Sequence, residues 1–179
     1  MRRLWLGLTF VVAAVTAVLH PGAAVSSDAL PSYVAPRHAG AILSWLQRHP
    51  EYRIALDADC SCADDIASIR SGDGWPPAPD YHPYYVVGDF RGDGAEDVAV
   101  GVISRQRAGK FRVLIIHGHS PGGQVVTVFL SKDRQLGEGL FYGPPRPKPW
   151  RLIVGAFASE GAAFEPTASG YRLSETDAE

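Results

Sequence analysis

Three aspartates at a regular spacing carry the clearest chemistry in this sequence. Asp89, Asp93 and Asp97 fall at positions one, five and nine of Asp89-Phe90-Arg91-Gly92-Asp93-Gly94-Ala95-Glu96-Asp97. Carboxylates at that spacing let a short loop wrap a hard cation with oxygen ligands. The turn that carries them is rich in glycine, with Gly92 and Gly94. Arg91 works against a cation, because a guanidinium cannot ligate one and repels it. Two arrangements therefore stay open. In one, the loop holds a hard cation weakly through its three carboxylates. In the other, Arg91 folds back onto Asp89 or Asp93 and takes the place of the ion. Either way, the loop joins two apolar runs, Val86-Val87 and Val98-Ala99-Val100.

The stretch Gly88-Asp89-Phe90, Gly92-Asp93-Gly94 and Asp97-Val98-Ala99-Val100-Gly101 resembles the calcium-loop signature of FG-GAP and VCBS repeats. The resemblance covers residues 86–101. It implies that Asp89, Asp93 and Asp97 are side-chain ligands for Ca²⁺ and that the Ala95 carbonyl is the main-chain ligand. Position three, usually Asp or Asn in that family, is Arg91 here. Val100 stands at position twelve, where an EF-hand has glutamate, so the loop is not an EF-hand. Such loops usually recur as propeller blades, and this chain has no second copy, so a propeller is not expected. The rest of the chain is similar to many small exported bacterial proteins that carry one such loop.

Other constellations are weaker. Cys60 and Cys62 are the only cysteines, and in an exported chain they favour a disulfide across a very small ring. The alternatives are free thiols, or an acidic metal or enzymatic site built with Asp57, Asp59, Asp64 and Asp65. Gly118-His119-Ser120-Pro121-Gly122 matches the nucleophile elbow of a hydrolase in outline. Three features argue against it. Pro121 has no N–H for an oxyanion hole, no histidine follows Ser120, and residues 124–130 read as a strand where an elbow needs a helix. His117 and His119 alternate and would share a strand face, but they read best as a polar strand end. Trp45, Trp75, Trp150, Tyr81, Tyr84, Tyr85 and Tyr142 suit core and edge packing better than a ligand surface. Residues 143–149 contain four prolines and read as a rigid extended connector, with a docking segment for a protein partner as the alternative.

The elements that position these groups follow from the patterning. The chain has 179 residues, 46% hydrophobic and 20% charged, which suits one globular domain. Its 19 glycines and 14 prolines favour many turns over a helical bundle. Arg2 and Arg3, the apolar residues 4–19 and the exit Pro21-Gly22-Ala23-Ala24 read as a signal peptide cleaved after Ala24. That places the mature protein outside the cytoplasm. The apolar run of about 16 residues is short of the ~20 needed to span a bilayer. The net charge of −2 falls further once Arg2 and Arg3 are lost, so neither nucleic acid nor an anionic membrane is an expected partner.

Residues 25–36 read as a linker. Ala39, Ile42, Leu43 and Leu46 then mark one face of a helix over 37–48, closed by His49-Pro50. A second helix starts with Ser61 as its N-cap, buries Ile66 and Ile69, and ends near Ser71-Gly72. Strands are expected at 84–87, 97–103, 111–117, 124–130 and 150–157, with a weak last strand at 171–173. The expected fold is a single α+β domain over 37–173. It is an antiparallel meander of about five to six strands with both helices packed on one face. Residues 174–179 read as a frayed tail. The function expected is a non-catalytic binding or structural module carrying a degenerate calcium-type loop.

Overall fold

The computed structural model describes residues 30–74, 76–107, 109–118, 128–143, 150–157 and 161–175. The proposed leader, Trp75, His119, Ser120 and the prolines of 144–149 lie outside the described residues. The described part is α+β: two helices and mostly antiparallel strands in two sheets.

Helix α1, Pro36–Arg48, begins with proline in its first turn, where the missing N–H costs nothing. Its buried residues are His38, Ile42 and Trp45. Ile42 is buried and Ala39 and Leu46 pack against the same core as expected, but the face extends to His38 and Trp45 and leaves Leu43 out. Leu43 is 38% exposed, and His38 takes a core position because Tyr85 and Glu96 satisfy both of its ring nitrogens. After strand β1, Tyr52–Ile54, comes a 3-10 turn at Asp57–Asp59 and then helix α2, Ala63–Ser71. The N-cap of α2 is Cys62, with no side-chain capping bond, so Ser61 does not cap it. Ile66 and Ile69 are buried, and Gly72 ends the helix at φ 84°, the left-handed conformation glycine adopts freely.

The first sheet contains β1, β2 (Tyr85–Gly88), β3 (Asp97–Ser104), β4 (Lys110–Ile116), β5 (Val128–Leu130) and β6 (Arg134–Gln135). Strands β3 and β4 form its centre. β1 and β2 pair with different halves of β3, and β5 and β6 pair with different halves of β4. The second sheet contains β7 (Glu138–Phe141), β8 (Ile153–Ala156), β9 (Gly161–Thr167) and β10 (Gly170–Glu175), in the order β10-β9-β8-β7.

The central strands are buried on both faces, which explains why β3 reads as a nearly unbroken apolar run. Val98, Val100, Val102, Leu114 and Ile116 pack with Ile42 and Trp45 of α1. The alternate residues Ala99, Ile103, Val113 and Ile115 pack with Ile66 and Ile69 of α2, and with Leu140, Val154 and Phe164 of the second sheet. Side chains alternate across a strand, so the two helices belong to different cores. The expected single meander with both helices on one face is corrected accordingly. The second sheet packs into the same core as α2.

The tail also differs. Ser174 and Glu175 are not frayed, because they pair with Ala163 and Ala162 in the second sheet.

Candidate functional site

The register of β2 on β3 places Gly88 opposite Asp97 and leaves residues 89–96 as the connecting loop. Gly92 and Gly94 have φ of 71° and 81°, so the loop needs glycine at both turns. Asp89 accepts the N–H groups of Asp93 at 3.0 Å and Gly94 at 2.8 Å, one on each carboxylate oxygen. Asp93 Oδ1 accepts the N–H of Ala95 at 2.9 Å. Both aspartates thus fold the loop by satisfying its own backbone donors.

Asp97 opens β3 and is wholly buried. Its Oδ2 accepts the N–H of Phe90 at 3.3 Å, and its Oδ1 accepts the N–H of Gly118 at 2.9 Å. Arg91 Nη2 donates to the same Oδ1 at 3.3 Å, and His117 Nδ1 lies 3.2 Å from it. Burial alone would raise the Asp97 carboxyl. The bonds from His117 and Gly118, with the nearby positive charge of Arg91, outweigh it and hold the carboxyl below its usual range. Arg91 Nη2 also lies 3.0 Å from Asp93 Oδ2.

The structure brings Asp93, Asp97 and Arg91 together at the loop, with Asp89 and Ala95 serving its backbone. Of the two arrangements open from the sequence, this is the one with Arg91 folded back, and its partners are Asp93 and Asp97. Among the described residues no group of three or more His, Cys, Asp or Glu side chains is placed to hold a metal ion. In this arrangement the loop carboxylates accept backbone N–H groups, and the Arg91 guanidinium stands between Asp93 and Asp97.

The loop is fastened on several sides. Glu96 accepts Arg37 Nε at 2.5 Å and Nη2 at 3.1 Å, and lies 3.0 Å from His38 Nε2. Its carboxyl is held low, chiefly by the bond from Arg37. His38 Nδ1 lies 3.0 Å from the hydroxyl of Tyr85. Tyr142 donates to the carbonyl of Asp89 at 2.9 Å and meets Phe90 edge to face. A Cβ on Gly88 would collide with the Tyr142 ring, so that glycine lets the ring lie against the strand end. A Cβ on Gly118 would stand 1.8 Å from the carbonyl oxygen of Glu96. The first glycine of the elbow-like motif is thus explained by close backbone packing under the acidic loop.

The second acidic cluster is dispersed. Asp57 accepts Arg70 Nη2 at 2.7 Å and lies 2.9 Å from His82 Nδ1. Asp59 takes a two-point contact from Arg53 at 2.6 and 2.7 Å and accepts the N–H of Leu56. Asp64 and Asp65 sit in the first turn of α2, where negative charge suits the helix dipole. Cys60 and Cys62 form a disulfide with Cα atoms 5.1 Å apart, and both are buried. Trp45 and Tyr84 are core residues, whereas Trp150 is 40% exposed.

Glu96, Arg37, His38 and Tyr142 carry no chemical motif in the sequence, and only the fold assembles them around the loop. Comparison with protein-family models, curated proteins and solved structures finds no match.

Proposed function

We propose that this chain is an exported, non-catalytic binding or structural module whose calcium-type loop works as an arginine-filled clasp. The observation that carries the reading is the position of Arg91 Nη2, 3.0 Å from Asp93 and 3.3 Å from buried Asp97. A guanidinium there supplies a fixed positive charge to the loop, where the FG-GAP-like pattern would use Ca²⁺. The clasp then joins β2 to β3 and ties both to α1 through Glu96.

A protein partner is favoured by Trp150, which is 40% exposed and flanks the proline-rich residues 144–149.

The test is urea unfolding of Arg91→Gln in excess EDTA. A clasp loses about 2 kcal/mol, less than the ~3–5 of a fully buried pair, because Arg91 keeps part of its side chain in solvent. A calcium site hindered by Arg91 would be unchanged or stabilised by the substitution, and that result would overturn the reading.

A further inference from the structure

A cavity of about 200 Å³ lies on the α1 side of the first sheet, away from the acidic loop. Its lining includes Tyr52, Ser104, Arg107, Lys110, Arg112 and Asp133. The register explains the gathering: Tyr52 is opposite Ser104, and Val102, two residues earlier on β3, is opposite Arg112. Three separate stretches of chain, around β1, the β3–β4 hairpin and the start of β6, therefore meet at one place.

Hydrogen-bond donors exceed acceptors there. Arg112 gives Nε to Asp133 at 2.6 Å and Nη1 to the Tyr52 hydroxyl at 3.2 Å. Its Nη2 makes no hydrogen bond with a described residue. The Tyr52 oxygen accepts from Arg112, so its own proton is left to donate. Ser104 Oγ accepts the N–H of Gln106 at 3.3 Å and likewise keeps a proton to donate. Lys110 is exposed and makes no ion pair with a described residue. Arg107 touches Asp133 only at 3.8 Å and is 72% exposed. Of the two acids, Asp133 is engaged by Arg112, and Glu51 lies at the solvent-exposed rim 3.5 Å from His49, so three cations, Arg107, Lys110 and Arg112, stand against two carboxylates.

We propose that this cavity binds a small phosphate-bearing anion, either inorganic phosphate or a small phosphate monoester. Positive charge in excess, a guanidinium with one free nitrogen and two hydroxyl donors match an oxyanion with several acceptor oxygens. The volume is below the ~300–1,000 Å³ of sites for drug-sized ligands, so the organic part of a monoester must be short. The wall offered to that part is Tyr52 and Val102. This site shares no residue with the clasp and stands whether or not the acidic loop takes calcium.

The test is a nuclear magnetic resonance titration of the protein with inorganic phosphate, glycerol phosphate and acetate, each against sodium chloride at matched ionic strength. Phosphate or glycerol phosphate should give saturable shifts at the amides of Tyr52, Ser104, Gln106 and Arg112. Tighter binding of glycerol phosphate identifies a phosphorylated small molecule as the ligand, and tighter binding of phosphate identifies the free ion. Lys110→Gln, at an exposed position that leaves the Arg112 pair intact, should weaken binding about tenfold. Unsaturated shifts like those of chloride would overturn the proposal. So would tighter binding of acetate, or equal affinity in Lys110→Gln.

Discussion

Arg91 and Asp97 are joined across the mouth of the β2–β3 connection, with Nη2 3.3 Å from Oδ1 of a carboxylate that has no exposed surface. The pair is one part of a wider arrangement, since the same Asp97 accepts the backbone N–H groups of Phe90 and Gly118. Replacing Asp97 with alanine leaves those backbone donors without an acceptor and leaves the part-buried guanidinium with Asp93 alone. The expected loss is ~3–5 kcal/mol, as for breaking a buried pair from one side. Urea unfolding measures it, and Asp64→Ala, at the exposed start of α2, should stay within about 0.5 kcal/mol of the parent.

The pH dependence of stability should fall in two stages. His38 is held neutral chiefly by burial, so its folded value lies below the ordinary ~6.5. That contribution is fully present above about pH 6.5 and is lost as pH falls through the lowered value. Asp97 and Glu96 have lowered carboxyls, so their contributions are present above an unfolded value near 4 and are lost below it. The urea midpoint should therefore decline first below about pH 6.5 and again below about pH 4. His38→Gln should remove the first decline and keep the second.

Two loop glycines should differ in their tolerance of alanine. Gly94 has φ 81° but nothing near a new Cβ, so Gly94→Ala should cost only the ~1–2 kcal/mol of a left-handed non-glycine residue. Gly118→Ala would press a methyl group onto the Glu96 carbonyl, a backbone group that cannot rotate away. It should cost at least the ~1–3 kcal/mol of overpacking and should weaken the Glu96 tie to α1. Comparison of the two melting midpoints checks the order.

The Cys60–Cys62 disulfide closes so small a ring that it constrains the unfolded chain little. The chain-entropy relation gives about 1.5 kcal/mol for it. A double alanine variant should lose roughly that much, with a little more from the packing both residues make in the core. Mass spectrometry with and without reductant verifies the bond, and urea unfolding gives the loss.

Where one pattern dominated, the fold was legible in the sequence. The helical spacing around Ile42 and the apolar runs of β3 and β4 marked their elements because burial on a fixed period leaves a visible trace. The second sheet was half legible: the strands expected at 150–157 and 171–173 correspond to β8 and β10, whereas β7 and β9 were not foreseen. Strand β9 is built from Gly161, Ala162, Ala163, Phe164, Glu165, Pro166 and Thr167, a composition that suggests a loop. Its Pro166 is tolerated beyond the stretch that pairs with β8. The place of His38 on the buried face of α1 was not foreseen, because a polar residue's core position depends on Tyr85 and Glu96, each distant in sequence.

The acidic loop was visible as a unit, including the competition from Arg91. The partner of Arg91 was only half legible. Asp97 belongs to a strand and reaches the loop because of the Gly88–Asp97 register. Tyr142 and Gly118 close on the loop from far along the chain, and no local spacing announces them.

The central claim is that Arg91 already supplies the positive charge this loop requires. A thermal melt in excess EDTA, repeated in ten millimolar Ca²⁺, tests it most directly when run on the parent and on Arg91→Asn. The account predicts coincident melts for the parent. It predicts that Arg91→Asn, with the guanidinium gone and an oxygen ligand at position three, rises by several degrees in Ca²⁺. Ligand at one hundred times Kd adds ~2.7 kcal/mol, and that moves the midpoint of a domain this size by several degrees. A rise of that size in the parent, abolished by Asp93→Ala, would contradict the account and make the loop a calcium site despite Arg91.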